Sequence, residues 1–139
     1  MADTVVQRRL SLLRRAGMHI ARHAQRHRLL RRLRGCKVLE RPKKMTNIAL
    51  TIDKGRRIYI SVRDRNCNII SPWDATLYVF IHELAHVDCD DVGHTVSFYR
   101  RFAHLLDTAR ALNMLPRTGF EDPNVRLGGI RLVTPRKKK

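Results

Sequence analysis

Between Ile81 and Phe102 the chain reads IHELAHVDCDDVGHTVSFYRRF, and this stretch constrains the fold more than any other. His82-Glu83-Leu84-Ala85-His86 is an H-E-x-x-H sequence. On a helix, histidines at i and i+4 project from one face about one turn apart, the spacing at which two imidazoles reach a single metal ion. Glu83 then lies beside such an ion and not on it, where a carboxylate can take a proton from coordinated water. The preceding run from Leu77 to Ile81 is apolar nearly all round, so this helix has to be buried. A buried histidine pair needs a partner, and a metal is one. The rest of the chain must therefore cover the helix and supply a third ligand, because an open zinc site takes three protein ligands plus water.

Asp88, Cys89, Asp90, Asp91 and His94 are the candidates for that ligand. If the helix simply continued past His86, Cys89 would stand about 10 Å from His82 along the axis at ~1.5 Å rise per residue, too far to share an ion. The chain must turn back first. Gly93 is the one glycine of the region and can take the left-handed conformation that ends a helix, after which His94 opens a second helical pattern. The turn points to His94, and a loop thiol is the plainer reading of Cys89.

HELAH followed by Gly93-His94 and Phe98 resembles the SprT-like and WLM group of small zinc metallopeptidases, whose pattern is HExxH, a variable spacer and GHxxxF. Seven residues separate His86 from His94; together with the preceding SPWDATLYVFIHELAHV, this looks especially similar to short metallopeptidase-like proteins of large double-stranded DNA viruses. The resemblance runs from about Asn47 to Leu112 and leaves out the N-terminal region. It implies a zincin-like fold, Zn2+ on His82, His86 and His94, Glu83 as general acid/base, and substrates among proteins held on DNA. The chain departs from the metzincin pattern, which places glycine three residues after the second histidine, where Cys89 stands.

Charge constrains the partners. The 139 residues carry 29 Lys and Arg against 12 Asp and Glu, a formal net charge of +17. That balance argues for an anionic partner, nucleic acid first, with acidic proteins or membrane surfaces behind it. Residues 1–44 hold 14 of the basic residues against two acids, Asp3 and Glu40, which marks a separate basic arm ending in the linker Arg41-Pro42-Lys43-Lys44. No proline interrupts Val5 to Leu33, and Val6, Leu10, Leu13, Ile20 and Ala24 follow helical spacing, so a basic amphipathic helix is predicted, with Gly35 as its stop. Gly17 weakens it by about 1 kcal/mol relative to alanine.

Arg8, Arg9, Arg14, Arg15, Arg22, Arg26, Arg31 and Arg32 are the candidate nucleic-acid contacts of this arm. With almost no aromatic residue to interleave with bases, it would bind phosphates without sequence preference and with strong salt dependence. The plainer alternative is a solvated face whose leucines pack on the domain. His19, His23 and His27, four residues apart, are assigned to the same polar face rather than to a second metal. The tail Arg136-Lys137-Lys138-Lys139 suits nucleic acid or nuclear import equally.

Past the linker the hydrophobic period changes to two. Ile48, Leu50 and Ile52 alternate, Asp53-Lys54-Gly55 supplies turn chemistry, and Ile58, Ile60 and Val62 alternate again, which predicts an antiparallel hairpin. Ser71 as N-cap, Pro72 at the first helical position and Asp74 in the first turn announce the metal helix. After it, Thr95 caps a second helix in which Phe98, Phe102, Leu105, Ala109 and Leu112 form one apolar stripe. A last strand is expected around Ile130, Leu132 and Val133. Asp88, Asp90, Asp91 or Asp107 either orients a ligating imidazole, belongs to a solvated loop, or meets the basic arm. His104 reads as a surface or core histidine.

No run approaches the ~18 apolar residues of a membrane span and the N-terminus is too basic for a signal peptide, so a soluble, intracellular protein of nucleus, cytoplasm or virion is expected. Cys36, Cys67 and Cys89 form no C-x-x-C pair, as suits free thiols in a reducing compartment. The expected fold is α+β: a small zincin-like domain, residues 45–133, with a hairpin packed on the H-E-x-x-H helix and a following helix, preceded by the 1–44 arm and followed by a basic tail, 134–139. The expected function is zinc-dependent hydrolysis of a protein or peptide. The competing expectation is a basic nucleic-acid-binding or virion structural protein that keeps the fold as a scaffold.

Overall fold

The computed structural model describes residues 4–63, 72–90 and 93–116, and the backbone of 126–127 and 130–131. Its elements are α1 (Thr4–His23), α2 (His27–Arg34), β1 (Lys37–Glu40), β2 (Ala49–Ile52), β3 (Arg57–Ile60), α3 (Trp73–Asp88), α4 (Val96–Ala111), β4 (Arg126–Leu127) and β5 (Ile130–Arg131). The class is α+β, as expected.

The alternation around Asp53-Lys54-Gly55 does form a hairpin. Strands β2 and β3 pair antiparallel with Ala49 opposite Ile60 and Ile52 opposite Arg57. All three turn residues have positive φ, at 51°, 55° and 105°. Gly55 is required for a second reason, since a Cβ there would stand 2.7 Å from Cγ1 of Val87 on α3. The sheet has a third strand that the sequence does not announce: β1 runs parallel to β3, with Val38 opposite Ile58, giving the order β1-β3-β2. Arg41 anchors the loop that follows, its backbone N–H donating to Ile60 O (2.9 Å) and its Nη1 to Met45 O (3.1 Å) and Asn47 O (3.2 Å).

Helix α3 is the axis of the molecule. It is buried from Ala75 to Ile81 and again at Glu83, Leu84, Ala85, Val87 and Asp88, and it packs against α1, α2, α4, β2 and β3. Such a helix cannot choose a single solvent face, which is why its apolar run lacks a strong amphipathic period. Trp73 is its first residue and Pro72 its cap, without a side-chain cap bond; Ser71, the predicted cap, lies outside the described residues.

The N-terminal region calls for a correction. The predicted stripe Val6, Leu10, Leu13, Ile20 and Ala24 is buried as its spacing requires, but it is buried in the same core as Phe80, Leu84, Phe98 and Phe102. Among the described residues, 4–44 therefore do not stand off as an arm, since helices α1 and α2 and strand β1 pack into the same core as α3 and α4. Gly17 marks the contact, because a Cβ on it would meet Phe80 Cε2 at 2.9 Å and Leu84 Cδ1 at 3.2 Å. The glycine that weakens the helix lets it dock.

Nor is Val5 to Leu33 one helix. Gln25 takes φ 57°, its N–H donating to Arg22 O (3.1 Å) while Arg26 N–H donates to Ala21 O (3.0 Å). This is a Schellman ending with glutamine at the left-handed position. Asn113 ends α4 in the same way. Of the predicted last strand, Ile130–Arg131 pairs antiparallel with Arg126–Leu127; Leu132, Val133 and the tail lie outside the described residues.

Candidate metal centre

Helix α3 carries His82, Glu83 and His86 and stops at once: Cys89 is already extended, at φ −114° and ψ 132°. The chain returns through Gly93, at φ 83°, so that His94 stands directly before α4. Thr95 caps α4 as its position predicts, its Oγ1 accepting from Phe98 N–H at 3.2 Å. Two helices docked through Phe98 and Phe102 thus deliver three imidazoles to one place.

The ligand atoms of His82, His86 and His94 all lie within 4.8 Å of one another, close enough to hold a metal ion. His86 Nε2 and His94 Nε2 are 3.2 Å apart. His82 and His86 are half-buried and His94 is exposed, so the group opens to solvent on the His94 side. Cys89 is not a member; it is buried, with its Sγ 3.7 Å from Ser97 Oγ. His104 stands apart, its Nε2 3.1 Å from Ala24 O.

Phe98 gives this geometry its floor. Its ring centroid is 5.0 Å from that of His82, 4.3 Å from His86 and 4.9 Å from His94. One fully buried ring therefore touches all three imidazoles and fixes their separations by packing.

Burial sets the protonation. It pushes His82 down to about 3, helped by His86 and His94, and His86 down to about 4, helped by His94 and Lys54. Both imidazoles are thus neutral at physiological pH, the form that donates a lone pair to a metal. Glu83 moves the other way. Burial raises its carboxyl to about 7, against the opposing pull of hydrogen bonds from Thr51. One oxygen, Oε1, accepts from Thr51 Oγ1 at 2.9 Å; the other, Oε2, lies 3.9 Å from His82 Nε2. The donor set is three imidazoles with a carboxylate alongside, which fits a borderline divalent ion such as zinc.

Two of the candidate nucleic-acid arginines, Arg26 and Arg32, hold the end of α3 beside this site, together with Arg28. Helix α3 ends two residues after His86, leaving its last carbonyls and the negative end of its dipole to be satisfied. Arg32 Nη1 donates to Val87 O, Arg28 Nη2 to Asp88 O (2.7 Å) and Lys54 Nζ to Cys89 O (2.9 Å). Arg26 grips the fully buried Asp88 carboxylate with two bonds, 2.7 and 3.2 Å, and Arg28 and Arg32 reach Asp90 at 2.7 and 3.5 Å. The acids Asp88 and Asp90 thus meet the basic helices instead of orienting imidazoles; Asp91 lies outside the described residues.

Arg14 donates to the carbonyls of Leu33 and Arg34, each at 3.0 Å, and so closes the end of α2. Arg9 lies over the Trp73 ring at 5.3 Å. Arg8, Arg15, Arg22 and Arg31 remain exposed. Thr51, Lys54 and Arg28 are the site residues that the sequence does not disclose.

Two viral proteins are similar to this chain. Uncharacterized protein R325 of Acanthamoeba polyphaga mimivirus is 36% identical over 76 residues, 54% of this chain and 39% of the relative. Uncharacterized protein 136R of Invertebrate iridescent virus 6 is 35% identical over 72 residues, 50% of this chain and 40% of the relative. The chain spans less than half the length of either. No family model and no solved structure matches. Among the described residues no helix is long and apolar enough to cross a membrane.

Proposed function

We propose that this chain is a zinc-dependent peptidase in which His82, His86 and His94 hold the metal and Glu83 is the general acid/base. One observation carries the reading: three imidazoles converge from two helices while a buried carboxylate, on the residue next to one of them, stands 3.9 Å from its nitrogen. A structural metal has no use for that carboxylate. When bound, zinc supplies a Lewis acid that polarises a carbonyl and lowers the pKa of a coordinated water to about 7.

Glu83 takes the proton of the attacking water on Oε2 and returns it to the leaving amine, a task that suits a carboxyl raised to about 7. Strand β2 is an edge of the sheet and packs against α3, so it is a natural rail for an extended peptide joined by backbone hydrogen bonds. The test compares the wild type with Glu83→Gln. The variant is expected to keep its metal and lose cleavage of a labelled unfolded protein; equal proteolysis by both would sink the reading.

The surface favours DNA-associated substrates. Arg8, Arg15 and Arg22 repeat at seven-residue intervals along the solvent side of α1, and residues 4–34 contain no acid. That row can follow a phosphate backbone in a salt-dependent way. The same row supports a second reading, a nucleic-acid-binding or virion structural protein, which differs in expecting Glu83→Gln to behave as the wild type.

A further inference from the structure

We propose that Thr51 is the positioning residue of Glu83: its hydroxyl holds Oε1 so that Oε2 is the oxygen presented to the reacting water. The role rests on the peptidase reading above and adds to it the residue that aims the base. Three observations support it. Thr51 Oγ1 is 2.9 Å from Glu83 Oε1 and 3.4 Å from the Glu83 carbonyl oxygen, so one hydroxyl touches both ends of the residue. Glu83 is only 5% exposed, so water cannot readily substitute for that donor. The remaining oxygen, Oε2, is the one placed 3.9 Å from His82 Nε2.

The chemistry follows from proton counting. A threonine hydroxyl has one proton to donate and an ionised carboxylate has none, so with Glu83 ionised Thr51 is the donor and Oε1 the acceptor. During hydrolysis an O–H bond of water breaks and an O–H bond forms on Oε2, while the water oxygen bonds to the carbonyl carbon. The proton then passes from Oε2 to the amine nitrogen as the C–N bond breaks. The hydrogen bond at Oε1 is compatible with both states of Glu83, so the carboxyl need not reorient between accepting the proton and giving it back.

Register gives Thr51 this reach. It pairs with Ile58, whose side chain is buried on the α3 face of the sheet, and Ala49, two residues earlier, is buried on that face too. Any residue at 51 points at α3 and keeps the backbone hydrogen bond to the Glu83 carboxyl; the hydroxyl adds the side-chain bond that pins Oε1.

The test uses Thr51→Val, which keeps the shape and removes the hydroxyl, and Thr51→Ser, which keeps the hydroxyl and removes a methyl. With labelled casein as substrate, Thr51→Val is expected to lower kcat by about 10- to 100-fold, the usual effect of losing an outer partner. KM stays within about twofold, metal content is unchanged, and Thr51→Ser recovers most of the rate. Wild-type turnover by Thr51→Val, or Thr51→Ser as slow as Thr51→Val, overturns the proposal.

A readout without activity accompanies it. In metal-free protein, Thr51→Val should lower Tm in the wild-type background and lower it clearly less in a Glu83→Leu background, where no carboxylate remains and the hydroxyl keeps only the residue-83 carbonyl oxygen, 3.4 Å away. Equal shifts in both backgrounds would mean that the hydroxyl acts on something else. If the wild type cleaves nothing although the two backgrounds differ, the peptidase reading has failed and Thr51 is a structural partner only.

Discussion

Replacing Gly17 by leucine separates two accounts of the N-terminal helix by the sign of the stability change. In a solvated arm, glycine to leucine in mid-helix should stabilise by about 0.8 kcal/mol from helix propensity alone. In the structure, a single added carbon already meets Phe80 Cε2 at 2.9 Å and Leu84 Cδ1 at 3.2 Å, both on fully buried side chains of α3. Leucine adds three carbons more. Overpacking of this kind costs about 1 to 3 kcal/mol, and four carbons put it at the upper end, so a net loss of about 2 kcal/mol is expected. At about 3 to 4 °C per kcal/mol for a chain of this size, Tm falls by roughly 7 °C. Thermal unfolding followed by circular dichroism in chelator, without metal, measures it. A rise of about 3 °C would refute the docking of α1 on α3.

Arg26 and Arg22 should part ways. Arg26→Ala leaves the buried Asp88 carboxylate without its bidentate partner and is expected to cost about 2 to 4 kcal/mol in urea unfolding, less than a fully enclosed pair because Arg26 is 25% exposed. Arg22→Ala should change stability by less than about 0.5 kcal/mol and instead weaken DNA binding and flatten its salt dependence; the reverse pattern would contradict the division of the arginines into inward and outward sets. The metal-free protein should also show a defined pH response. His82 and His86, depressed to about 3 and 4, contribute stability that is present above their ordinary value and lost as pH falls below it. Glu83, raised to about 7, contributes stability present below its ordinary value and lost as pH rises to about 7. Two histidines outweigh one carboxyl where the windows overlap, so urea midpoints should rise from pH 4 and level off near pH 7. Glu83→Gln should steepen the rise between about pH 5 and 7, where the carboxyl opposes the histidines, and an unchanged slope there would contradict the burial of the Glu83 carboxyl.

What the sequence disclosed was local. The pair His82 and His86, the turn at Gly93, the Thr95 cap and the α4 stripe are each written within one or two helical turns, and all are present in the structure. The β2-β3 hairpin was equally legible, because alternation and turn residues adjoin. Strand β1 was hidden, since KVLE continues a basic segment and its partner β3 is reached only across an intervening loop and strand. The break at Gln25 carries neither glycine nor proline, so unbroken helix was the reasonable expectation. Charge misled in another way. Arg26 and Arg32 look like phosphate contacts until the acids and free carbonyls at the end of α3 are brought beside them. The only hint was the run Asp88 to Asp91 in a chain otherwise poor in acids. Thr51 had no signature, since a threonine in a strand is ordinary and its use depends on what the opposite helix presents.

The most direct measurement is the metal content of the chain, by elemental analysis, for the wild type and His94→Ala prepared side by side without added zinc. A site built from His82, His86 and His94 requires about one zinc per chain in the wild type and clear loss in the variant. Wild-type protein without zinc even after reconstitution, or a variant that retains it in full, would contradict the three-histidine centre.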